Sequence, residues 1–188
     1  KIDYDVIEKN SVRCCDRDAA QKMEALVIEA KEMMNSLGGI VGVEIKGLKS
    51  GVGDPVFGKL NARLGMALLS IGSVKGIEFG LGFEFANLTG KESNDPMAFG
   101  KFKTNNSGGI LGGISTGEDV IIRLAVKPTP SISSPQSTIN KSGENVEIEI
   151  KGRHDPCILP RIIPVVESMV NLVLLDAIMI QKRVEGNS

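Results

Sequence analysis

The 188-residue sequence has no tryptophan, one tyrosine (Tyr4) and six phenylalanines, so aromatics make up only 4% of it. That scarcity removes the stacking platforms on which single-strand nucleic-acid binders lay successive bases. An excess of one charge is missing too: 22 Lys+Arg stand against 23 Asp+Glu, a formal net charge of -1. No chain-wide positive field exists to neutralise a phosphate backbone or an anionic membrane, which argues against nucleic acid and membrane as partners. The cysteines Cys14, Cys15 and Cys157 are odd in number and too few for a disulfide framework. Adjacent cysteines would also strain the backbone if bridged, so a reducing, cytoplasmic setting is expected. His154 is the only histidine, and without CxxC or HxxxH spacing a zinc site would lack its usual ligands, so no metal is expected. The sequence starts at Lys1 without methionine or a basic-plus-apolar signal segment, and reads as a fragment or a processed product.

Glycine is what the sequence has in excess: 22 residues of 188, about 12% against a usual ~7%. Some of the backbone must adopt unusual angles or come close to something else. With 41% apolar and 24% charged side chains, the remainder is expected to form a globular core.

Periodicity orders the elements. Ala19, Ala20, Met23, Leu26, Val27, Ala30, Met33 and Met34 recur at three- and four-residue steps, predicting a helix from Asp16 with Asp18 and Gln21 as its capping box. Val41, Val43 and Ile45 alternate with polar or small residues as in a half-buried strand, and a second helix is expected from Val56 to Leu69. Strands are expected at 74–80, 108–113 and 119–127, the last with Ile122, Leu124 and Val126 on one face, and a short helix at 81–89. Residues 90–107 and 128–143 read as mobile or ligand-ordered loops, and Val146, Ile148 and Ile150 give a clean strand alternation. A final helix from Pro160 to Lys182 has apolar residues all round its axis. Glu167, Asn171, Asp176 and Pro164 would be costly in lipid, so a helix sandwiched between layers is the better reading than a membrane span. This mixture favours an α+β fold with antiparallel sheet packed on helices.

Three clusters stand out chemically. Asn106 to Ser115 contains the paired glycines Gly108-Gly109 and Gly112-Gly113, which leave amides uncovered for a planar ring or a phosphate, although neither the GxGxxG order nor a P-loop ending is present. By itself the run is more simply explained as a glycine-rich bulge between strands. Lys127-Pro128-Thr129-Pro130-Ser131 offers a cation and two hydroxyls on a proline-stiffened turn, or merely a turn with a solvated lysine. In Gly152-Arg153-His154-Asp155-Pro156-Cys157, Arg153 can grip a carboxylate or phosphate with two parallel bonds, while His154 and Asp155 are proton-transfer groups. Asp155-Pro156 also has the form of a helix N-cap followed by a first helical proline.

In order, these residues resemble chorismate synthase. The run from Gly152 to Cys157 with Pro160-Arg161 and Pro164-Val165-Val166-Glu167 is similar to that family's C-terminal signature. The runs 108–115 and 127–132 resemble its two preceding signatures, and Asp54-Pro55-Val56-Phe57, Ser70-Ile71 and Val74-Lys75-Gly76-Ile77-Glu78 resemble further segments. The resemblance implies a β-α-β sandwich, a helical layer between antiparallel four-stranded sheets, here a partial copy extending over residues 1–188. It implies a lyase that removes phosphate and a ring hydrogen from 5-enolpyruvylshikimate 3-phosphate to give chorismate, with reduced FMN required. Whether NADPH reduces that flavin within the protein is left open. FMN contacts are implied for Gly72, Ser73, Gly112, Lys127, Pro128, Thr129, Pro130, Ser131 and Arg153, and a catalytic carboxylate for Asp155; the homo-oligomer implied is a tetramer. The family's Gly-Glu-Ser-His-Gly segment and substrate-gripping arginine regions do not occur between Lys1 and Ser188. The chain is therefore expected to resemble a C-terminal half, inactive alone; the alternative is a non-catalytic FMN- or phosphate-binding or assembly fragment.

Overall fold

The structure is a computed structural model that describes residues 2–186. Contacts divide it into two compact units: residues up to Gly39 with Val126–Ile163, and Ile40–Ala125 with the chain from Pro164 on.

The first unit begins with a 3-10 turn, Tyr4–Lys9, followed by helix α1, Arg17–Glu32. Its cap is Asp16 rather than Asp18: the Asp16 carboxylate accepts from the Ala19 amide, and Asp16 is extended (φ -132). That hydrogen bond, the largest cause, holds the Asp16 carboxyl below its usual value. Upstream, the Asp3 amide donates to the Cys15 carbonyl at 2.8 Å, so the chain enters Asp16 in the geometry a cap needs. The hairpin β8 (Gln136–Ile139) with β9 (Asn145–Ile148) is antiparallel and forms inside and just after the Pro/Ser/Thr tract. The strand expected from Val146 and Ile148 is present, but both of these residues are exposed.

The second unit is built on a three-stranded sheet of order β1-β7-β2, with β1 at Gly39–Ile45, β2 at Val74–Phe79 and β7 at Val120–Val126; Gly39 and Val126 themselves fall in the first unit. Strand β7 buries Val120, Ile122, Leu124 and Val126 by simple alternation, as expected. Helix α2, Leu60–Leu69, packs on β2 and buries Leu60, Leu64 and Leu68 completely. It starts four residues later than the periodicity suggests. The Asp54 carboxylate takes the Val56 amide in a tight local turn, Phe57 adopts φ +55, and the Leu60 amide donates to the Gly113 carbonyl instead of starting from a side-chain cap.

A 3-10 turn, Gly82–Asn87, replaces the short helix expected there. Residues 90–107 contain α3 (Gly90–Ser93) and the antiparallel pair β3 (Met97–Ala98) and β4 (Lys101–Phe102). Strands β5 (Ile110–Leu111) and β6 (Ile114–Ser115) form a second small hairpin. Helix α4, Leu159–Glu185, starts in the first unit and continues in the second, where Val166, Val170, Leu174 and Ala177 are buried and Asp176 pairs with Arg63 of α2. Its opposite apolar side, with Val165, Leu172, Leu175 and Met179, is exposed. Among the described residues it is the one helix long and apolar enough to cross a membrane. The architecture is α+β, and the principal sheet has three strands where the resemblance implies four.

Leu64 is fully buried, whereas Met66, two residues on, is 74% exposed. Leu64→Ala is expected to cost about 2–5 kcal/mol through lost transfer energy and a residual cavity, and Met66→Ala no more than about 0.5 kcal/mol. Urea unfolding midpoints check both; equal losses would contradict this core.

Candidate functional site

In the first unit, one short segment joins two of the motifs singled out from the sequence. Residues 35–39 leave α1 and run past both Lys127–Ser131 and Arg153–Cys157. The Ser36 hydroxyl, on a residue only 8% exposed, donates to the Thr129 carbonyl at 2.7 Å. The next residue, Leu37, donates its amide to the Pro156 carbonyl at 2.7 Å and bridges Cys157 in parallel. At Gly38 the approach is closest: an added Cβ would lie 2.3 Å from the Val126 carbonyl oxygen and 2.8 Å from Pro128 Cδ. Only glycine lets the chain pass the root of the Lys127 turn there.

That turn displays its polar groups unevenly. Lys127, Pro128 and Pro130 are exposed, and Thr129 and Ser131 are half-buried. Lys127 makes no ion pair with another described residue. The Thr129 carbonyl is taken by Ser36, but its hydroxyl Oγ1 is buried without a partner among the described residues. An orphaned buried hydroxyl costs about 1–3 kcal/mol.

Across the same segment lie the residues of the Arg153 run. Arg153 is exposed and makes no ion pair with a described residue. His154 is half-buried with Nε2 2.7 Å from the Ile150 carbonyl oxygen, so that nitrogen carries the proton and donates. Asp155 is not the helix cap its sequence allows. Helix α4 begins at Leu159, with the Ile162 amide returning to the Ile158 carbonyl, and Asp155 Oδ2 instead accepts from Arg161 Nη1 at 2.7 Å. Its side chain is 32% exposed, and Oδ1 has no hydrogen-bond partner among the described residues.

The second unit holds the other predicted residues. Gly112 and Gly113 form the two-residue turn of the β5–β6 hairpin with φ of +60 and +95, values that require glycine there. An added Cβ would meet nothing within 4 Å at Gly112, but at Gly113 would lie 2.5 Å from Lys59 Cγ, so one glycine faces open space and its neighbour is packed. Gly72 also faces open space, and Ser73 beside it has φ +74, both in the α2–β2 turn. The start of the glycine run is held by a residue the sequence reading missed. Asp95 Oδ1 accepts from Thr104 Oγ1 at 2.7 Å and from the Asn106 amide at 2.6 Å, and Oδ2 accepts from the Ser107 amide at 2.8 Å. Burial pushes the Asp95 carboxyl up, but the bonds from Thr104, Ser107 and Asn106 outweigh it and leave it below its ordinary value.

A groove of about 470 Å³ lies elsewhere in the first unit among Val12, Val27, Ile28, Cys157 and Pro160, and includes none of Lys127–Ser131, Arg153 or Asp155. It is open and mainly apolar, unsuited to an anion. Among the described residues no group of acidic, cysteine and histidine side chains is arranged to hold a metal ion.

On an α+β scaffold, a turn presenting a cation and hydroxyls, braced against a carboxylate paired with arginine, has the chemistry of an anion-binding, acid–base site. The sequence model described as chorismate synthase matches residues 1–179. The chorismate synthase of Desulfatibacillum aliphaticivorans is 50% identical over 185 residues, 98% of this chain and 52% of that protein. The chorismate synthase of Methanocaldococcus jannaschii is 52% identical over 178 residues, 92% of this chain and 47% of that protein. A crystal structure of chorismate synthase matches with a TM-score of 0.76 at 26% identity, over 94% of this chain and 47% of the other. The chain belongs to the chorismate synthase family. It spans about half the length of the curated relatives it matches.

The Asp95 carboxyl is depressed in the folded chain, so its stabilising effect is present above its unfolded value and is lost as pH falls through the folded one. Asp95→Asn is therefore expected to lower the urea midpoint at pH 7, with the gap to wild type closing below about pH 4. A gap that stayed constant with pH would show that the charge does not hold the loop.

Proposed function

We propose that this chain is the flavin-contacting half of a chorismate synthase, the lyase that converts 5-enolpyruvylshikimate 3-phosphate to chorismate and phosphate. The observation that carries this reading is the back-to-back pairing of Ser36 and Leu37 with Thr129 and Pro156, which braces in one unit a carboxylate and a cation that has no ion-pair partner among the described residues. In the reaction one carbon–oxygen bond breaks with its electron pair leaving on phosphate, one ring carbon–hydrogen bond breaks, and a new carbon–carbon double bond forms. Atoms and electrons balance without net oxidation.

The residues fit reduced FMN. Lys127 and Arg153 are exposed cations without ion-pair partners among the described residues, and the Thr129 hydroxyl is buried with no hydrogen-bond partner among them. The chemistry that bound reduced FMN would supply is electron density for the breaking carbon–oxygen bond and help in removing the hydrogen. Lys127, Thr129 and Ser131 hold the ligand's anionic part on a turn that Pro128 and Pro130 stiffen. Arg153 supplies a second, fork-shaped contact. Asp155 keeps Oδ1 available to take or pass a proton, while Arg161 fixes Oδ2. The Gly-Glu-Ser-His-Gly segment and substrate arginines expected of the family do not occur between Lys1 and Ser188, which supports binding without turnover by this chain alone. A cytoplasmic setting and a tetrameric whole enzyme go with the same reading.

FMN titration is expected to give saturable binding that Lys127→Ala weakens about tenfold, the loss of one charge-assisted contact; an unchanged dissociation constant would remove Lys127 from the site. Joined to the remaining half of the Methanocaldococcus jannaschii relative, under anaerobic conditions with reduced FMN, the chain should form chorismate. Asp155→Asn should slow that turnover by about 100-fold or more. Normal turnover with lowered stability would make Asp155 a structural partner of Arg161 only.

A further inference from the structure

The segment between α1 and β1 holds backbone carbonyls of both motifs, and its position constrains the two together. Ser36 Oγ reaches the Thr129 carbonyl and the adjacent Leu37 amide reaches the Pro156 carbonyl, both at 2.7 Å. Two consecutive residues thus hold carbonyls of chain segments that are far apart in sequence. Ser36 is 8% exposed, so water cannot readily replace its bond. Gly38 then limits how far the arrangement can relax, because Val126 and Pro128 already fill the space where its side chain would be.

We propose that Ser36 is a positioning residue: by holding Thr129 while Leu37 holds Pro156, it sets the Lys127–Ser131 turn in register with Arg153–Asp155. The ligand in this proposal, a phosphate-bearing flavin, rests on the function proposed above; the geometry does not. Turning the Thr129 carbonyl to Ser36 also fixes the rotation of that peptide unit. The flanking Pro128 and Pro130 have locked φ, which leaves fewer backbone angles to absorb a change there, so loss of the Ser36 bond is transmitted along the turn. An enzyme site loosened by a fraction of an ångström loses rate before it loses substrate affinity, since the misplaced groups act on the reacting atoms.

The test has a ligand-free arm and a loaded arm. In the chain without ligand, Ser36→Ala is expected to move the backbone amide NMR signals of both Thr129–Ser131 and Asp155–Cys157 and to speed hydrogen exchange at the Leu37 amide about tenfold. Ser36→Thr, which keeps the hydroxyl, should restore both. Changes confined to Thr129–Ser131, with Asp155, Cys157 and the Leu37 amide unmoved, would overturn the proposal. In the enzyme completed with the relative's other half, Ser36→Ala should lower kcat about tenfold at saturating FMN while KM for the substrate stays within twofold; an unchanged kcat would also overturn it. A wild-type chain that binds no FMN would count against the flavin reading alone, and the ligand-free arm would still decide the role of Ser36.

Discussion

The site depends on one pair of hydrogen bonds, made back to back by Ser36 and Leu37. Each contributes only about 1 kcal/mol net to stability, since water would bond the same groups in the unfolded chain. Their structural consequence is larger than that figure. They fix two chain segments, each more than ninety residues away in sequence, to a single short stretch of backbone. The glycine excess follows in part from this demand: Gly38 must pass within contact of a carbonyl and a proline ring, and Gly112–Gly113 must turn a two-residue hairpin.

Electrostatics adds the second constraint. A buried, unpaired cation would pay several kcal/mol in lost solvation, so Lys127 and Arg153 remain at the surface, where a ligand anion can displace water from them. Asp155 is treated differently, with one oxygen committed to Arg161 and the other left uncommitted. Such a division orients a carboxylate without exhausting its capacity for a proton. Asp95 uses both oxygens for three donors and is a loop organiser rather than a proton carrier.

Much of the fold was legible because local periodicity reflects burial. The alternation Ile122, Leu124, Val126 and the helical spacing of Leu60, Leu64 and Leu68 both end in fully or nearly fully buried side chains. Boundaries were less legible, because they are set by contacts from elsewhere. The Gly113 carbonyl takes the Leu60 amide and so decides where α2 begins. Asp155-Pro156 carries the local signal of a cap, yet the Pro156 carbonyl is taken by the Leu37 amide and Cys157 bridges Leu37, and α4 begins only at Leu159. Site residues were visible as ordered motifs through family resemblance, whereas Ser36, Gly38 and Asp95 were not. Their importance lies in partners up to 93 residues away, which no short-range pattern encodes. The long apolar helix was expected to be sandwiched between layers; in this chain one stripe is buried and the opposite stripe is exposed.

The central claim is that the turn held by Ser36 is where the flavin lies. Titrating isotope-labelled chain with FMN and following its backbone amide signals tests this most directly. The account predicts saturable shifts at Lys127, Thr129, Ser131, Arg153 and Asp155, accompanied by Leu37. Shifts confined to the apolar groove around Val12 and Ile28, or no shifts at millimolar FMN, would contradict it.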